Sequence, residues 1–384
     1  MVKLVLYWLS AGILIYTFLG YGIVVFVWNR FRKKQPLPSG GGPVPSLAVI
    51  IPAYNEAEVL GPKIRESLSL SYPGDGMELW VVTDGSTDGS EKIVAAFPQV
   101  RGLHDPERWG KAVAINRVME EVKTDLVVIT DANAKLSPDS LLLLAAHFND
   151  PSLGGVSGEK KVLEEGEGMY WKYESFLKRQ DADLCSLVGA AGELFAFRSN
   201  LFEPLEPDTI LDDFVLSLRL CLKGYRVGYE PRAMALEAGS PNTREEQKRK
   251  IRIAAGGWQA IWRLRPLLFY RKNLVLSFQY WSHRVLRWTI APFCLPLLFL
   301  VNALLVVEGA GDWYRLSFLG QLLFYGMAFL GWLGACRNTK WPIVYILYYF
   351  VFMNWAAIRG GFRFLRNRQE ARWEKSGRLT MPVK

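Results

Sequence analysis

Acidic residues follow three apolar stretches of this chain, at Asp84, at Asp131 and at the adjacent pair Asp212 and Asp213. The first two end the β-rich runs ELWVVTD and DLVVITD, so their carboxylates should lie at the carboxyl edge of a sheet. Open α/β sheets bind ligands at that edge. One such Asp is easily a turn residue. Three acidic positions in order, with apolar segments on either side, indicate an enzyme at a bilayer that uses a metal ion and a nucleotide.

Asp131 and Asn133 leave their strand at alternate positions, so both side chains can reach one ion. Hard cations such as Mg²⁺ take carboxylate and amide oxygens together with substrate phosphates. An ion there would neutralise a departing diphosphate. A lone D-x-N is also common at a polar strand exit, and it is the neighbouring Asp84 that favours the metal site.

Asp212 and Asp213 begin a helix with an apolar face. Acids in a first helical turn interact favourably with the helix dipole, which is a sufficient structural reason for one of them. Two adjacent carboxylates raise each other's cost of ionisation, and such pairs suit a general base. We predict Asp213 as the base and Asp212 as its structural neighbour.

Cations that could bind phosphate lie in two places. Arg249 and Arg252 stand three residues apart on one face of a basic helix, where they could hold a diphosphate. The same spacing fits a cationic helix on anionic lipid equally well. Lys111, at a helix start, is either a further phosphate ligand or an ordinary solvated lysine.

The apolar segments divide the chain into membrane and soluble parts. Residues 4–28 carry no charge and could cross a hydrocarbon core of roughly 30 Å. Further apolar runs lie at about 289–307, 316–335 and 341–358. Cations from Arg30 to Lys34 favour a retained anchor whose carboxyl side is cytoplasmic. We therefore predict an integral protein of the cell membrane with its soluble domain in the cytoplasm.

The net charge of +9 does not require a nucleic-acid partner, because the segment from Arg359 onwards carries eight Lys and Arg against Glu370 and Glu374. That basic tail is typical of a lipid-headgroup contact. Three spans after the anchor would place the tail outside, against the positive-inside tendency. Either one C-terminal segment is interfacial or re-entrant, or the tail breaks the rule.

Scattered cysteines and scarce histidines exclude other site classes. The four cysteines form no C-x-x-C, so neither a disulfide framework nor a zinc site is indicated. With only three histidines, a histidine-based metal cluster is also disfavoured.

The middle of the chain alternates strand-like and helix-like stretches, which predicts a mostly parallel sheet. Helices are expected at 58–70, after Asp88 as a cap with Glu91, at 110–122, after Ser137 as a cap, and at 212–223. Residues 225–237 read as a hairpin, and Thr243 with Glu246 as a second capping box.

We divide the chain by composition into six parts. These are an anchor at 1–34, a Pro/Gly linker at 35–45, a soluble domain at 46–242, basic interfacial helices at 243–287, transmembrane helices at 288–359 and a basic tail at 360–384.

The motifs taken together resemble the family-2 glycosyltransferases, specifically the membrane-embedded processive type of hyaluronan, chitin and cellulose synthases. VIIPAYNEAEVL (49–60) resembles the family's opening strand, and VVTDGSTDG (81–89) its nucleotide-sugar loop. RWGKAVAIN (108–116) resembles the stretch whose Lys lies near the donor. DAN stands in the place of D-x-D, GAAGELFAFR (189–198) resembles the acceptor-proximal strand, and LDD (211–213) occupies the place of T-E-D.

The resemblance implies a GT-A fold, an α/β architecture with a Rossmann-like, mostly parallel sheet, that binds a nucleoside diphosphate sugar, often a UDP-sugar, with Mg²⁺ or Mn²⁺. Ala53, Tyr54, Glu56 and Asp84 would hold the nucleoside. Lys111, Glu193, Arg249 and Arg252 would bind substrate, Asp131 and Asn133 the metal, and Asp213 would deprotonate the acceptor hydroxyl, so that the anomeric configuration inverts.

Two departures from the family pattern bear on function. Asn133 replaces the second acid of D-x-D and should weaken metal affinity. The Q-x-x-R-W of the synthases is absent, and its nearest stand-in, Arg249 to Ile253, lacks the Trp that lines the acceptor end. The loss of this Trp disfavours polymer synthesis.

The sequence thus predicts an inverting, metal-dependent hexosyltransferase that acts on a polysaccharide or a lipid-linked acceptor at the cytoplasmic membrane face. The alternative is a non-catalytic membrane subunit that binds a nucleotide sugar within an envelope glycan assembly.

Overall fold

The structure, a computed structural model, describes residues 1–32, 44–73, 76–162, 168–237, 243–337, 339 and 341–366. At residues 162, 168–170, 243 and 244 it describes the backbone alone. The expected cap at Thr243, most of the linker and the tail beyond residue 366 therefore lie outside the described residues.

Eight strands form one mixed, mostly parallel sheet, which confirms the predicted α/β fold. Their order across the sheet is β3-β2-β1-β4-β7-β6-β8-β5. β2, β1 and β4 run parallel, and β7 is antiparallel to both of its neighbours. The strands are β1 Leu47–Ala53, β2 Met77–Asp84, β3 Arg101–Asp105, β4 Leu126–Ile129, β5 Lys135–Leu136, β6 Leu153–Val162, β7 Phe195–Arg198 and β8 Arg226–Glu237.

Helices cover both faces of the sheet and continue into the apolar segments. The first two, α1 (Val2–Ile15) and α2 (Tyr21–Arg30), are joined by a π-helical turn at Tyr16–Gly20. The α-helices are α1 Val2–Ile15, α2 Tyr21–Arg30, α3 Ala57–Leu68, α4 Ser90–Ala95, α5 Lys111–Glu121, α6 Ser140–Ala146, α7 Gly168–Leu184, α8 Asp212–Leu222, α9 Thr243–Arg263, α10 Leu274–Gln279, α11 Leu286–Trp288, α12 Ile290–Val307, α13 Asp312–Cys336 and α14 Pro342–Leu365. The strand β3 and the helix α7 were not anticipated from the sequence.

The first strand shows why its sequence is continuously apolar. All seven residues of β1 are buried, and alternate side chains enter two different cores. Val49 and Ile51 pack in the core that contains Ile64 of α3. Ile50 packs in the core that contains Ile115 of α5. A strand covered on both faces needs apolar residues at every position.

Residues 225–237 do not form the expected hairpin. They make the single strand β8, which runs parallel to β6 with two register shifts. One lies between Leu153 and Gly155, and at the other Gly158 pairs with Glu230, whereas Glu159 pairs with Met234. Pro231 falls inside the irregular segment and has no N–H to give to the ladder. The bulge therefore accommodates the proline within one continuous strand, where a hairpin was expected.

The expected caps at Asp88 and Ser137 are also wrong. Helix α4 begins at Ser90 with Gly89 in the cap position, and Asp88 accepts instead from the backbone N–H groups of Ser90 and of Ala57 in α3. Helix α6 begins at Ser140, while the Ser137 hydroxyl accepts from the Met234 N–H of β8. Asp88 thus keeps one local bond at the start of α4 and adds one to α3, whereas Ser137 binds β8. Neither long-range bond follows from a local capping rule.

Four helical segments are long and apolar enough to cross a membrane: Val2–Arg30, Ile290–Val307, Asp312–Cys336 and Pro342–Leu365. The first is tied to the soluble domain by a buried hydrogen-bond network. Tyr21 donates to Asp181 of α7, and His283 Nδ1 lies 2.5 Å from the other oxygen of the same carboxylate.

The last segment, α14, packs along the basic helix α9. A Cβ added at Gly360 would lie 2.6 Å from the Ala254 Cβ, and one at Gly361 would lie 2.9 Å from the Trp258 ring. Only glycine allows this approach of the two backbones.

Candidate active site

A cavity of about 1170 Å³ lies between the carboxyl edge of the sheet and the apolar helices. Seven of the residues predicted to act in the site line it, and these are Lys111, Asp131, Glu193, Asp212, Asp213, Arg249 and Arg252. Asn133 reaches this group through Glu237, which also lines the cavity. The four predicted nucleoside residues lie apart from it, at the ends of β1 and β2.

The four residues predicted to bind the nucleoside lie at the ends of two neighbouring parallel strands. Ala53 is the last residue of β1 and pairs in register with Thr83, one residue before Asp84. The Asp84 carboxylate accepts the backbone N–H groups of Trp109 at 3.1 Å and of Gly110 at 2.6 Å. These bonds hold the loop that leads into α5. A carboxylate has about four acceptor positions, so Asp84 retains capacity for a ligand.

Tyr54 and Glu56 follow β1 in the same turn. Glu56 is buried and its backbone N–H donates to Ser90 Oγ at 3.1 Å. The guanidinium of Arg108 lies 3.8 Å from the centre of the Tyr54 ring. Within the described residues, Arg108 Nε and one Nη are buried without a hydrogen-bond partner. Arg108 was not among the predicted site residues, although a cation two residues before a helix-opening glycine is a visible signal in the sequence.

Gly85 allows the turn after β2 to lie against the loop before α5. Its φ is +66°, and a Cβ at this position would lie 2.6 Å from the Arg108 Cβ. Any other residue would meet both the strained backbone and the neighbouring loop.

Lys111 links two of the predicted acids. Its Nζ lies 2.9 Å from Asp131 and 3.2 Å from Asp212. Burial alone would lower the pKa of Lys111, but the charges of Asp131 and Asp212 raise it well above its usual range. Lys111 is therefore a buried, permanently charged group and not the solvated lysine that the sequence left open.

Asp213 differs from its neighbour Asp212. Burial and the charge of Asp212 raise the pKa of Asp213 to about 7, although Lys111 opposes them. Asp212 is instead paired with Lys111. The two adjacent acids thus have different environments: one is neutralised by a cation, and the other is held close to the pKa that suits a base near neutral pH.

A second cluster lies beside the first. The Lys160 ammonium pairs with both Glu193 and Glu237. Glu237 ends β8 and also accepts a hydrogen bond of 2.7 Å from Asn133 Nδ2. Burial would raise the pKa of Glu193, yet Lys160 holds it below its usual range. Neither Lys160 nor Glu237 was singled out from the sequence, although an acid at the end of a strand was the signal used for Asp84.

The donor set of this cluster fits a hard divalent cation. Carboxylate oxygens of Asp131, Glu193 and Glu237 lie within 4.8 Å of one another. Asn133 Oδ1 is buried and has no hydrogen-bond partner among the described residues. Three carboxylates and an amide oxygen are ligands that Mg²⁺ and Mn²⁺ accept.

Arg249 and Arg252 both face the cavity, as their spacing predicted. Arg249 is held by Glu246 at 3.2 Å. Arg252 makes no ion pair within the described part of the chain, and burial lowers its pKa, against the opposing charge of Asp212. Arg252 is therefore the cation of this pair that an incoming anion can engage without breaking an ion pair.

Trp288 supplies an aromatic ring next to helix α8. Its ring centre lies 5.1 Å from the ring centre of Phe214, the residue after Asp213. A Cβ added at Gly257 would lie 2.4 Å from Cε3 of the Trp288 ring. Arg284 stacks on both rings and donates to the Val188 carbonyl at 2.7 Å. Trp288 thus lines the same cavity as Asp213, and no local motif indicated it.

Comparison with known proteins identifies the domain. The model of the glycosyl transferase family 2 matches residues 48–206. The beta-monoglucosyldiacylglycerol synthase of Synechocystis sp. is 28% identical over 251 residues, which cover 59% of this chain and 52% of that protein. The poly-beta-1,6-N-acetyl-D-glucosamine synthase of Staphylococcus epidermidis is 25% identical over 263 residues, or 63% of each chain. The chain thus spans about half to two thirds of the length of these relatives.

A solved structure with the same fold is the mannosyltransferase PcManGT from Pyrobaculum calidifontis in complex with GDP-Man and Mn²⁺. It has a TM-score of 0.72 and 23% identity, and the match covers 95% of this chain and 100% of that one. This likeness confirms the GT-A fold. Residues 48–206 of this chain therefore match the glycosyl transferase family 2 model, and the chain is similar to a monoglucosyldiacylglycerol synthase and to a poly-N-acetylglucosamine synthase.

Proposed function

We propose that this chain is an inverting, metal-dependent glycosyltransferase that moves a sugar from a nucleoside diphosphate sugar to a hydroxyl at the membrane. The observation that carries the proposal is Asp213, whose pKa is raised to about 7 at the wall of a cavity that also holds Lys111, Asp131 and Arg252. A base and a set of anion ligands in one cavity are what this transfer requires.

The residues divide into three roles. Tyr54 and Asp84 hold the nucleoside at the ends of β1 and β2. Lys111 and Arg252 bind the diphosphate through charge-assisted hydrogen bonds. Asp213 takes the proton of the acceptor hydroxyl, whose oxygen then bonds to the anomeric carbon from the side opposite the diphosphate. Because there is a single displacement, the anomeric configuration inverts.

A divalent cation, Mg²⁺ or Mn²⁺, would be held by Asp131, Glu193 and Glu237, with Asn133 Oδ1 as a further ligand. When bound, it supplies positive charge to the departing diphosphate. Lys160 already neutralises Glu193 and Glu237. We propose that its ammonium moves aside when the cation binds, because both compete for the same carboxylates.

The donor is a UDP- or GDP-sugar in this proposal. The resemblance to processive synthases favours UDP, whereas the similar mannosyltransferase was solved with GDP-Man and Mn²⁺. Arg108, with N–H groups that lack partners among the described residues, stands beside Tyr54 where a nucleobase would bind.

We infer that the catalytic domain is cytoplasmic and that α14 lies along the membrane surface. Tyr349 in its first half lies 5.7 Å from Lys250 of α9, and Phe362 near its end lies 6.4 Å from Phe293, at the domain end of α12. Both halves of α14 thus contact elements on the domain side. With three spans (α1–α2, α12 and α13) the basic tail lies on the same side as the domain, as the positive-inside tendency requires.

The arrangement of α14 is tested by fusing a fluorescent protein or alkaline phosphatase after residue 384 in a bacterial host. Cytoplasmic fluorescence without phosphatase activity is expected. The reverse result would mean that α14 spans the membrane.

The proposed activity is tested by the release of nucleoside diphosphate from a panel of UDP- and GDP-sugars, with purified protein in lipid nanodiscs. Release that depends on Mg²⁺ or Mn²⁺ and is selective for one donor is expected. Donor binding without release in the presence of membrane lipids and oligosaccharides would favour the non-catalytic subunit.

A further inference from the structure

We propose that the acceptor is an uncharged membrane lipid with a hydroxyl headgroup, that its chains lie in the apolar half of the cavity, and that it receives one sugar. This inference rests on the proposed function and specifies its acceptor. It excludes the alternative in which the same cavity holds a growing polysaccharide.

The half of the cavity away from the acids is walled by membrane helices. Phe18 of the anchor and Phe324 of α13 both contact Phe350 of α14, with ring centres 4.7 and 6.1 Å from it. Further lining residues in this half are Leu14, Leu295, Ile346, Leu347 and Met353. A wall of this composition favours hydrocarbon chains.

The apolar half is open to the side. Ile15 and Leu19 line the cavity, yet they are 62% and 61% exposed on the outer surface of the anchor helix. The medium around that surface is the bilayer, because the anchor is an apolar segment of 29 residues. A lipid can therefore enter the cavity from the membrane without passing through water.

Polar groups separate the apolar half from the acids. Arg287, which pairs with Glu174, and Lys250, which pairs with Glu246 and lies near the Trp171 and Tyr349 rings, line this boundary. These cations already have carboxylate partners. Arg284, also in the lining, is held by the Val188 carbonyl and lies near the Phe214 and Trp288 rings. A phosphate would have to compete with the carboxylates at Arg287 and Lys250, so the boundary fits an uncharged, hydroxyl-bearing headgroup better.

The size of the cavity fits two ligands. At about 1170 Å³ it exceeds the range of roughly 300–1,000 Å³ that is usual for a site with one small molecule. The acids and cations at the sheet edge bind the sugar diphosphate, and the remaining apolar half accepts part of a lipid.

A polysaccharide fits this space poorly. A glycan chain that left the site through the apolar half would place its hydroxyls against Leu, Ile and Phe side chains. A hydroxyl buried without a hydrogen bond is unfavourable, because it loses its bonds to water. A lipid carries no such groups beyond its headgroup, so the same walls stabilise its chains.

The step balances as follows. The lipid hydroxyl gives its proton to the Asp213 carboxylate, and its oxygen forms the new bond to the anomeric carbon. The bond from that carbon to the diphosphate oxygen breaks, and the diphosphate leaves with the electron pair. The glycosylated lipid has a larger polar headgroup, which favours its return to the membrane surface.

The test uses the full chain in nanodiscs with and without diacylglycerol, or with a soluble oligosaccharide instead, and one active sugar donor. We expect diacylglycerol to raise nucleoside diphosphate release at least tenfold and to give a lipid product heavier by one sugar. Products of increasing length on the oligosaccharide, with no effect of the lipid, would overturn this inference alone. Absence of release with every acceptor would overturn the proposed function as well.

A matched pair of variants tests the location of the lipid. Met353→Trp fills the apolar half and should raise the KM for diacylglycerol at least tenfold with the Kd for the donor preserved. Ile343→Trp, on the same helix but 70% exposed and away from the cavity, should behave as the unchanged protein. Equal KM values in both variants would place the acceptor elsewhere.

Discussion

Acidic side chains at the two halves of the sheet edge are satisfied in different ways. At the ends of β1 and β2, Asp84 accepts backbone N–H groups of Trp109 and Gly110. At the ends of β4 and β8, Asp131 and Glu237 are instead paired with the ammonium groups of Lys111 and Lys160. We call the ends of β1 and β2 the nucleoside half of the sheet edge and the ends of β4 and β8, with Asp212 and Asp213, the transfer half. In the nucleoside half the partner of the acid is a backbone group, whereas in the transfer half it is a flexible side chain that can move.

This difference indicates which half responds to ligands. A backbone N–H cannot leave its position without unfolding the loop, so the acid that binds it fixes the shape of the nucleoside half. A lysine can exchange a carboxylate for a phosphate or give way to a metal ion. The acids of the transfer half are therefore available for chemistry, and the two halves should respond differently to mutation.

The largest effect is expected from Asp213→Asn in the transfer half. Loss of a general base typically costs about 10²–10⁴-fold in rate, and donor affinity should persist because other residues hold the donor. The measurement is kcat for transfer beside the donor Kd. Asp208→Asn removes an exposed carboxylate that pairs with Arg263, and should change kcat less than twofold. Full activity of Asp213→Asn would exclude this residue as the base.

Glu237→Gln should weaken Mn²⁺ binding by roughly 10–100-fold, the range seen when groups that support a metal site are removed. Mn²⁺ affinity is measured by electron paramagnetic resonance without any substrate. Glu230→Gln is the control on the same strand, because Glu230 pairs with His147 and Arg232 outside the cavity. Unchanged affinity in Glu237→Gln would move the metal away from β8.

Asp84→Asn should lower the free energy of unfolding by about 2 kcal/mol, the order expected for hydrogen bonds to a charged acceptor. Oδ2 of Asp84 accepts from both Trp109 and Gly110, and an amide oxygen in its place can do the same. The amide loses the negative charge, however, and its NH2 group replaces the oxygen that lies 3.1 Å from the Trp109 N–H. Thermal unfolding in detergent measures the loss. If stability is retained while donor binding falls, Asp84 serves the ligand and not the loop.

The pH dependence should be the mildest effect near neutrality. Because the pKa of Asp213 is raised to about 7 in the free protein, its ionised fraction, and with it kcat/KM for the donor, should fall about tenfold per unit below pH 7 and level off above it. The measurement is kcat/KM for the donor across the pH range. A profile that stays flat down to pH 5 would mean that proton removal by Asp213 does not limit the rate.

Site residues could be predicted from the sequence where their signal lay within a few neighbouring positions. The acid that ends an apolar run identified Asp84 and Asp131, and the first-turn acids of α8 identified Asp212 and Asp213, because strand ends and helix starts are local features. The expected caps at Asp88 and Ser137 were wrong, because Gly89 and Asp139 take the cap positions. Asp88 also binds Ala57, 31 residues away in the chain, and Ser137 binds Met234, 97 residues away.

The sequence by itself determined the α/β domain, its membrane segments and the acids at the sheet edge, because hydrophobic periodicity and strand-end residues act within a few positions. Only the tertiary structure decided which cation neutralises which acid, since Lys160, Glu193 and Glu237 come from three separate parts of the chain. It also decided that α14 packs along α9. Both depend on contacts between distant segments, which no short stretch of sequence contains.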